Sequence, residues 1–364
     1  MAEKKPIKLA VVGLGNCASS LIQGIYYYRD VKDNEFVPGV MHVRLGGYHL
    51  RDIKIVAAFD VNENKIGKDV AEAIYAAPNN TTVFAKVPKT GVKVSRGPLL
   101  DGVNKYTAPL IPIKKDRKPV DVVKVLRDSG ADIVINYLPV GSQEATEFYV
   151  NAAIKAKCGF VNCIPVFIAS DKKWAKKFKD AGLPVIGDDI KAQVGATILH
   201  RTLVNLFLDR GMVIDHTYQL NTGGNTDFLN MLERERLVSK KISKTEAVTS
   251  QVEARGQTID PSDIHIGPSD YVAWQKDNKI CFLRIESKHF GDVPMNVELR
   301  LSVEDSPNSA GVAIDSIRCL KLALDKHLSG AIIEPAAYFK KHPPVQIEDR
   351  QARELVEKYI AANA

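Results

Sequence analysis

Cysteine is scarce in this chain, and long apolar runs and blocks of one charge are missing from it. The five cysteines among 364 residues include no two that are two residues apart, so the sequence indicates neither a disulfide framework nor a zinc knuckle, and a reducing compartment is the simplest inference. No apolar run reaches the roughly 18 residues of a membrane helix, and no signal segment precedes the first apolar run. We therefore expect a cytoplasmic protein with no membrane partner.

The charge and composition narrow the function further. The net charge of +7 is spread along the chain without a basic arm, which disfavours nucleic acid as a partner and suits a small anionic substrate. An apolar fraction of 45% and a charged fraction of 26% are typical of a globular protein. The length allows two domains.

Apolar runs alternate with helical patterns through the first half of the chain. Runs at 7–13, 53–59, 133–135, 159–164 and 184–186 indicate buried strands, and amphipathic segments lie between them, which predicts a doubly wound parallel sheet. Beyond a helix expected to follow Gln193, the segments 280–285 and 295–303 alternate apolar and polar residues, as antiparallel strands do. We predict one domain over residues 1–209, completed by 305–364, and a second over 210–304.

A glycine-rich turn follows the first strand. Gly13-Leu14-Gly15-Asn16-Cys17-Ala18 has the spacing of a dinucleotide-binding turn, in which glycines allow a tight bend and close approach of a pyrophosphate to a helix N-terminus. Asp60 ends the second strand, where an acid holds an adenosine ribose and favours NAD. It lies well beyond the usual spacing of about 20 residues, so we expect an insertion over 27–51. Asp69 is a further candidate for the adenosine end.

Two other strand ends carry polar segments at the edge where ligands bind in such sheets. Leu138-Pro139-Val140-Gly141-Ser142 leaves one strand and opens a helix, with Tyr149 on the same helix face. Asp188 and Asp189 follow another strand and either hold a nicotinamide ribose, orient a lysine or cap a helix. A helix opening here would offer the amides of Ala192 and Gln193 to a phosphate.

Lysines cluster beside a polar, glycine-containing segment. On a helix, Lys240 and Lys244 would share one face, where like charges cost about 0.2–0.5 kcal/mol, and the segment from Asn221 through Asn225 to Asp227 precedes them. A solvated basic face is one interpretation, and the binding of a phosphorylated substrate is the other. Asp305 caps a helix or pairs with a lysine, whereas Lys279 and Lys341 would each look like surface residues if taken alone.

Taken together, these motifs resemble the inositol-1-phosphate synthase family, in its short, actinobacterial-like form. The match rests on their order along nearly the whole chain, through the segments 12–20, 136–142, 187–193, 221–227, 239–244, 305–310 and 341–344. The resemblance implies an α/β fold with a Rossmann-like sheet and an inserted α+β domain for catalysis and for assembly into a homotetramer. Ala192 stands where many relatives have serine.

The resemblance also implies a reaction and its residues. D-glucose 6-phosphate would become 1L-myo-inositol 1-phosphate through NAD-dependent oxidation, enolisation, aldol cyclisation and re-reduction, the first step of inositol and phospholipid biosynthesis. Lysines with a lowered pKa serve such chemistry as bases and as cations at an oxyanion. The implied catalytic residues are Lys240, Lys279 and Lys341, tuned by Asp189 and Asp305.

The remaining implied contacts concern the phosphate, the sugar and the cofactor. Lys244 would grip the substrate phosphate, with Gln193 nearby, and Asn221, Asn225 and Asp227 would line the substrate and nicotinamide pocket. NAD would contact the glycine turn and the two strand ends, through Gly13, Leu14, Gly15, Asn16, Cys17, Ala18, Asp60, Asp69, Leu138, Pro139, Ser142, Tyr149, Asp188, Ala192, Asp227 and Lys240.

A metal ion and two other functions stay open at this stage. Prokaryotic members of the family are often associated with a divalent metal ion, but no metal-ligand spacing occurs here, so its ligands stay unassigned. The first alternative function is an NAD-dependent sugar-phosphate dehydrogenase, which would release NADH. The second is a non-enzymatic NAD-binding regulator, which would need the glycines but not the lysines.

Overall fold

The computed structural model describes residues 5–114 and 116–364. Residues 1–4 and Lys115, which fall inside the predicted 1–209 domain, lie outside the described residues. The elements follow one another as β1 (Ile7–Val12), α1 (Asn16–Tyr27), β2 (Arg44–Leu45), β3 (Tyr48–His49), β4 (Ile53–Asp60), α2 (Val70–Ala73), β5 (Ser95–Arg96), α3 (Val122–Asp128), β6 (Ile133–Asn136), α4 (Gln143–Ala156), β7 (Gly159–Asn162), α5 (Lys172–Asp180), β8 (Pro184–Ile186), α6 (Ala196–Asp209), β9 (Val213–Gly223), α7 (Thr226–Asn230), α8 (Val238–Glu253), β10 (Ile264–Tyr271), β11 (Asn278–His289), β12 (Val293–Glu304), α9 (Pro307–Asp325), β13 (Gly330–Ala331), α10 (Ile333–Phe339) and α11 (Asp349–Asn363).

The larger sheet of the described chain is parallel throughout. Its seven strands lie in the order β13-β8-β7-β6-β1-β4-β5, and each neighbouring pair is parallel. Strands such as Ile133–Asn136 and Gly159–Asn162 are buried along their whole length, as expected for strands with both faces covered. The predicted Rossmann-like, doubly wound α/β fold is confirmed.

Two apolar layers cover this sheet. One face packs against α1, α9, α10 and α11, with Leu21, Ile317 and Val356 among its buried side chains. The other face packs against α3, α4 and α5, through residues such as Leu126 and Phe178. Strand β13 and helices α9, α10 and α11 all follow the second sheet in sequence. The parallel sheet and its helical layers are therefore built from both ends of the chain. Among the described residues, no helix has both the length and the apolar character needed to cross a membrane.

The second sheet is mixed. Its strands lie in the order β10-β9-β11-β12, with β11 antiparallel to both β9 and β12 and with β10 parallel to β9. Helices α6 and α8 cover one face through side chains such as Val204, Phe207 and Val248. Helix α6 falls inside the predicted 1–209 domain but packs with this second sheet, so the domain bounds stay a prediction.

One local expectation was wrong. No helix opens over Gly187–Gln193, because Ile190 instead forms an antiparallel bridge with Lys340. The next helix begins only at Ala196, so neither Asp188 nor Asp189 is a helix cap. The segment's non-helical conformation is held by hydrogen bonds to residues far along the chain, including one from Lys191 N to Phe339 O of 2.9 Å.

Candidate active site

The glycine turn between β1 and α1 leaves space in front of a helix N-terminus. Gly13 has φ of +81°, and a Cβ there would lie 2.7 Å from Tyr137 O, whereas a Cβ on Gly15 would meet no atom within 4 Å. Gly15 is the N-cap of α1, and no side chain caps the first turn. Free backbone N–H groups therefore face open space, an arrangement that suits a pyrophosphate.

Asp60 lies beside this turn at the end of β4. Its Oδ2 accepts a hydrogen bond of 2.9 Å from Leu14 N, and its Oδ1 accepts one of 2.8 Å from Val61 N. The buried Lys65 donates to Leu14 O at 2.7 Å and lies 3.8 Å from Asp60 Oδ2. Lys65 was missed from the sequence, where a lone lysine in a polar segment carries no signal.

One cavity joins the glycine turn to the second sheet. Its lining includes most of the predicted site residues, namely Gly13, Leu14, Gly15, Asn16, Cys17, Asp60, Leu138, Pro139, Tyr149, Asp189, Ala192, Asn221, Asn225, Asp227, Lys240, Lys244, Lys279, Asp305 and Lys341. Five predicted residues are not in this lining: Ala18, Asp69, Ser142, Asp188 and Gln193. Residues from both sheets and from the C-terminal segment thus meet at one place.

Asp189 is a buried carboxylate between two lysines. Its Oδ1 lies 3.1 Å from Lys341 Nζ and 3.7 Å from Lys240 Nζ, and its Oδ2 accepts a hydrogen bond of 2.7 Å from Ser243 Oγ. Burial acts to raise the pKa of Asp189, but the two ammonium groups outweigh burial and hold the pKa well below its usual range. Asp189 is therefore ionised and serves as the counter-ion of both lysines.

A second ion pair lies across the cavity. Lys279, near the start of β11, donates to Asp305 Oδ1. Burial acts to raise the pKa of Asp305, but Lys279 and its neighbours lower the pKa overall. Asp305 does not cap helix α9, whose N-cap is Ser306. The sequence left open whether Asp305 caps a helix or pairs with a lysine, and in the structure it pairs with Lys279.

The lysines of the cavity differ in their electrostatic environment. Burial, together with the charges of Lys240, Lys341 and Lys279, lowers the pKa of Lys244 to about 7. The pKa of Lys341 is also lowered, chiefly by burial. Burial acts in the same direction on Lys240, but Asp189, Asp227 and Asp305 outweigh burial and raise its pKa. The expectation of a lowered pKa therefore holds for Lys341 and not for Lys240, which stays an ammonium group.

The polar loop after β9 is tied to the glycine turn by a buried carboxylate. Asn225 caps α7 and donates to Asp277 Oδ1 at 2.9 Å, and Asn16 of helix α1 donates to the same oxygen at 3.1 Å. Ser306 Oγ also donates to this oxygen, at 2.9 Å. Asp277 links three segments of the site. It was missed because its neighbours in sequence look like an exposed turn.

The acids outside the cavity lining have structural partners. Asp69 caps α2 and accepts hydrogen bonds from Thr90 Oγ1 at 2.7 Å and Gly91 N at 2.7 Å. Asp188 is fully buried, and its carboxylate accepts from Asn162 Nδ2 at 2.7 Å and from Ser170 Oγ at 2.8 Å. Both carboxylates are thus hydrogen-bonded within the protein and lie outside the cavity, whereas the sequence analysis expected them to contact the cofactor.

The remaining three residues are also occupied elsewhere. The amide of Gln193, predicted to be free for a phosphate, donates to Asn308 O at 2.8 Å. Ser142 is the N-cap of α4 and is fully buried, and Ala18 packs in the core below the glycine turn. A small residue at position 18 fits the close packing of helix on strand that the turn requires.

The chemistry of this donor set suits a dinucleotide better than it suits a metal ion. The described residues include no group of three or more histidine, cysteine, aspartate or glutamate side chains that could hold a metal ion. The open glycine turn, the carboxylate of Asp60 beside it and the cavity continuing towards the lysines fit an extended cofactor with a negatively charged pyrophosphate. Fold and site together define a Rossmann-type protein with a dinucleotide turn that opens onto a lysine-rich pocket.

Comparisons with known proteins identify the family of this chain. The family model for myo-inositol-1-phosphate synthase matches residues 195–306. The inositol-3-phosphate synthase of Mycolicibacterium smegmatis is 56% identical over 97% of this chain and 98% of that protein, and the enzyme of the same name from Corynebacterium glutamicum is 52% identical over 97% and 98%. The chain belongs to the myo-inositol-1-phosphate synthase family.

Solved structures share the fold of this chain. The crystal structure of Ari2 is 32% identical, covers 98% of this chain and 99% of its own, and has a TM-score of 0.78. Inositol-3-phosphate synthase from Caenorhabditis elegans has the same TM-score of 0.78 at 15% identity, over 99% of this chain and 86% of that chain. At that identity the likeness supports the fold alone.

Proposed function

We propose that this chain is an inositol-3-phosphate synthase, which converts D-glucose 6-phosphate to 1L-myo-inositol 1-phosphate. Family membership over nearly the whole length supports the reaction. The observation that carries the proposal is the group of four lysines in one cavity with the dinucleotide turn, two of them sharing the buried Asp189. A simple dehydrogenase needs one acid–base group at its alcohol, whereas enolisation and ring closure need cations at several sugar oxygens.

NAD is the cofactor that this site fits. When bound, it supplies reversible hydride transfer at carbon five of the sugar. On this proposal the first turn of α1 holds the pyrophosphate and Asp60 faces the adenosine ribose. Tyr149, Leu138 and Pro139 add apolar wall to the same cavity. A divalent ion, if used, would take most of its oxygens from phosphates rather than from side chains.

The lysines have distinct proposed tasks. Lys341, whose pKa is lowered, is suited to exchange a proton with the substrate, because a lowered pKa makes its ammonium group easier to deprotonate than that of an ordinary lysine. Lys240, whose pKa is raised, is suited to stabilise a developing oxyanion as a fixed cation. Lys279, held by Asp305, would be the second such cation.

Lys244 and the polar loop would bind the substrate. Lys244 lies one helical turn after Lys240 on α8 and also lines the cavity, so its amine can reach a phosphate held at the edge of the catalytic group. Asn221, Asn225 and Asp227 line the same cavity from the second sheet. We propose that these residues orient the sugar hydroxyls, since planar amides and a carboxylate are good partners for hydroxyl groups.

The exposed parts of the second sheet support the proposed homotetramer. Phe290 is 97% exposed, and Val293 at the start of β12 is 49% exposed. Met295, Val297 and Leu299 on β12 pack against the core of the second sheet and remain only partly buried. Apolar surface of this kind marks an interaction site. Sedimentation velocity tests the proposal, which predicts a tetramer and is contradicted by a monomer.

Alanine substitutions test the proposed roles directly. Lys240→Ala, Lys279→Ala and Lys341→Ala should each abolish formation of inositol phosphate, while NAD binding, measured by calorimetry, is largely retained. The exposed Lys241 on the same helix provides the matched control, and Lys241→Ala should keep its activity. Three active lysine variants would refute the site. A parent protein that binds NAD without forming inositol phosphate would instead favour the non-enzymatic regulator.

A further inference from the structure

Behind the cavity lies a buried charged group that the proposed mechanism does not use. Arg201 of α6 and Lys191 both contact Asp349, the first residue of α11, with Arg201 Nε 2.6 Å from Oδ2 and Lys191 Nζ 2.8 Å from Oδ1. The side chain of Arg201 is completely buried. None of these three residues lines the cavity, so they do not touch a molecule bound there.

The guanidinium of Arg201 holds two segments that carry the lysines. Its Nη1 donates to Ala247 O at 2.6 Å on helix α8, which also bears Lys240 and Lys244. The same Nη1 lies 3.2 Å from Gln346 Oε1, and Nη2 donates to Ile347 O at 2.8 Å. Arg201 therefore links α8 to the segment between α10 and α11, where Lys341 lies.

Gln346 carries this link to Lys341 itself. While its Oε1 accepts from Arg201, its Nε2 donates to the backbone carbonyl of Lys341 at 2.8 Å. On the other side, the amide of Lys341 donates to the backbone carbonyl of Asp189 at 2.6 Å. The backbone of Lys341 is thus held by Asp189 on one side and by Gln346 on the other, and Gln346 is held in turn by Arg201.

The makeup of this group argues against a purely stabilising role. Two buried cations share one carboxylate that is 21% exposed, and buried ion groups are often no more stabilising than apolar side chains of similar volume. What a planar guanidinium supplies here is geometry, since its fixed fork of donors reaches a carboxylate, two carbonyls and an amide oxygen at once. A lysine at 201 would keep the charge and lose most of these bonds.

We propose that Arg201 and Gln346 are positioning residues that hold Lys341 against Asp189 and set its distance from the lysines of α8. The inference rests on the proposed function for its catalytic consequence. Its structural content, the restraint of Lys341, stands on the contacts alone. Small displacements of a catalytic group lower the rate steeply, by about 100-fold for roughly 1 Å.

The test compares Gln346→Ala with Val345→Ala in the full-length protein. Val345 lies on the same segment and is exposed, which makes its variant the matched control. We expect Gln346→Ala to lower kcat roughly tenfold, the effect of about one lost hydrogen bond, with KM for glucose 6-phosphate nearly unchanged. Val345→Ala should match the parent in both constants. Arg201→Lys should have the larger effect and lower kcat about 100-fold relative to the parent. If Arg201→Lys fails to fold, the result for Gln346→Ala alone decides whether the positioning role holds.

A second readout does not depend on turnover. Acetic anhydride is applied to the protein without ligands, and the acetylation rate of Lys341 is followed by peptide mass spectrometry. A loosened Lys341 should react faster in Gln346→Ala than in the parent or in Val345→Ala. Unchanged kcat together with unchanged acetylation would overturn the positioning role. A parent protein that makes no inositol phosphate would refute the proposed function, while the acetylation rates would still decide whether Gln346 restrains Lys341.

Discussion

The Nζ of Lys341 lies 3.1 Å from Oδ1 of Asp189, although the two residues are 152 positions apart in the sequence. The same oxygen lies 3.7 Å from Lys240 Nζ. One buried carboxylate thus serves two lysines, and their charge states depend on it.

Removing the charge of Asp189 without changing its shape should therefore disable the site. In Asp189→Asn, the pKa of both lysines should fall because the attraction that favours their ammonium forms is lost. We expect kcat/KM to drop by at least about 100-fold, the scale measured for one lost electrostatic contact. The control is Asp180→Asn, which changes an exposed carboxylate paired with Lys176; equal losses in the two variants would refute the special role of Asp189.

The lowered pKa of Lys244 predicts a pH dependence of phosphate binding. Its pKa of about 7 means that the ammonium form is complete well below neutral pH and is lost as the pH rises. Since a phosphate monoester is already a dianion above neutral pH, its affinity should weaken there, by up to about tenfold per pH unit. Calorimetry with glucose 6-phosphate measures this dependence, which should disappear in Lys244→Met and persist in Lys241→Met.

The same shift predicts an effect on stability. The folded-state pKa of Lys244, about 7, lies below the ordinary value of 10.5, so the unfolded chain binds the proton more tightly. The resulting penalty is fully present below the folded-state pKa and fades as the pH rises towards the unfolded value. Lys244→Met should therefore unfold at a higher temperature than the parent at pH 6, with a gain of about 1–4 kcal/mol, and the gain should shrink at pH 9. A less stable variant at pH 6 would contradict this electrostatic account.

The two glycines of the dinucleotide turn should respond differently to alanine. Gly13→Ala places a Cβ 2.7 Å from Tyr137 O in a backbone with φ of +81°, so it should both destabilise the protein and impair NAD binding. Gly15→Ala adds a methyl group that meets no protein atom within 4 Å. Its fold should be as stable as the parent's or slightly more so, yet NAD affinity should fall, because the methyl occupies the space in front of the helix. Unchanged NAD affinity in Gly15→Ala would move the pyrophosphate away from this turn.

Local patterns were sufficient to predict most of the parallel sheet. The run ending at Asn136 and the amphipathic stretch of α4 are β6 and α4, because short apolar runs and helical periodicity depend on nearby residues. Lys240 and Lys244 do share α8 and one cavity.

Features that depend on distant partners could not be predicted in this way. The segment after β8 resembles a helix start in its composition, yet it forms no helix, because Ile190 pairs with Lys340. Asp277 sits among residues typical of a surface turn, and only the folded chain brings Asn16, Asn225 and Ser306 to its carboxylate. The pKa of Lys240 is another such case, since three carboxylates from separate segments raise it.

The most direct test of the synthase proposal is the stoichiometry between product and cofactor. The protein is incubated with excess glucose 6-phosphate and a trace of NAD, and inositol phosphate is quantified by NMR while NADH is followed by absorbance. We predict many equivalents of inositol phosphate per NAD and no net NADH, because the hydride removed at carbon five returns to the same molecule. Release of one NADH for each sugar phosphate consumed would contradict the proposal and identify a dehydrogenase instead.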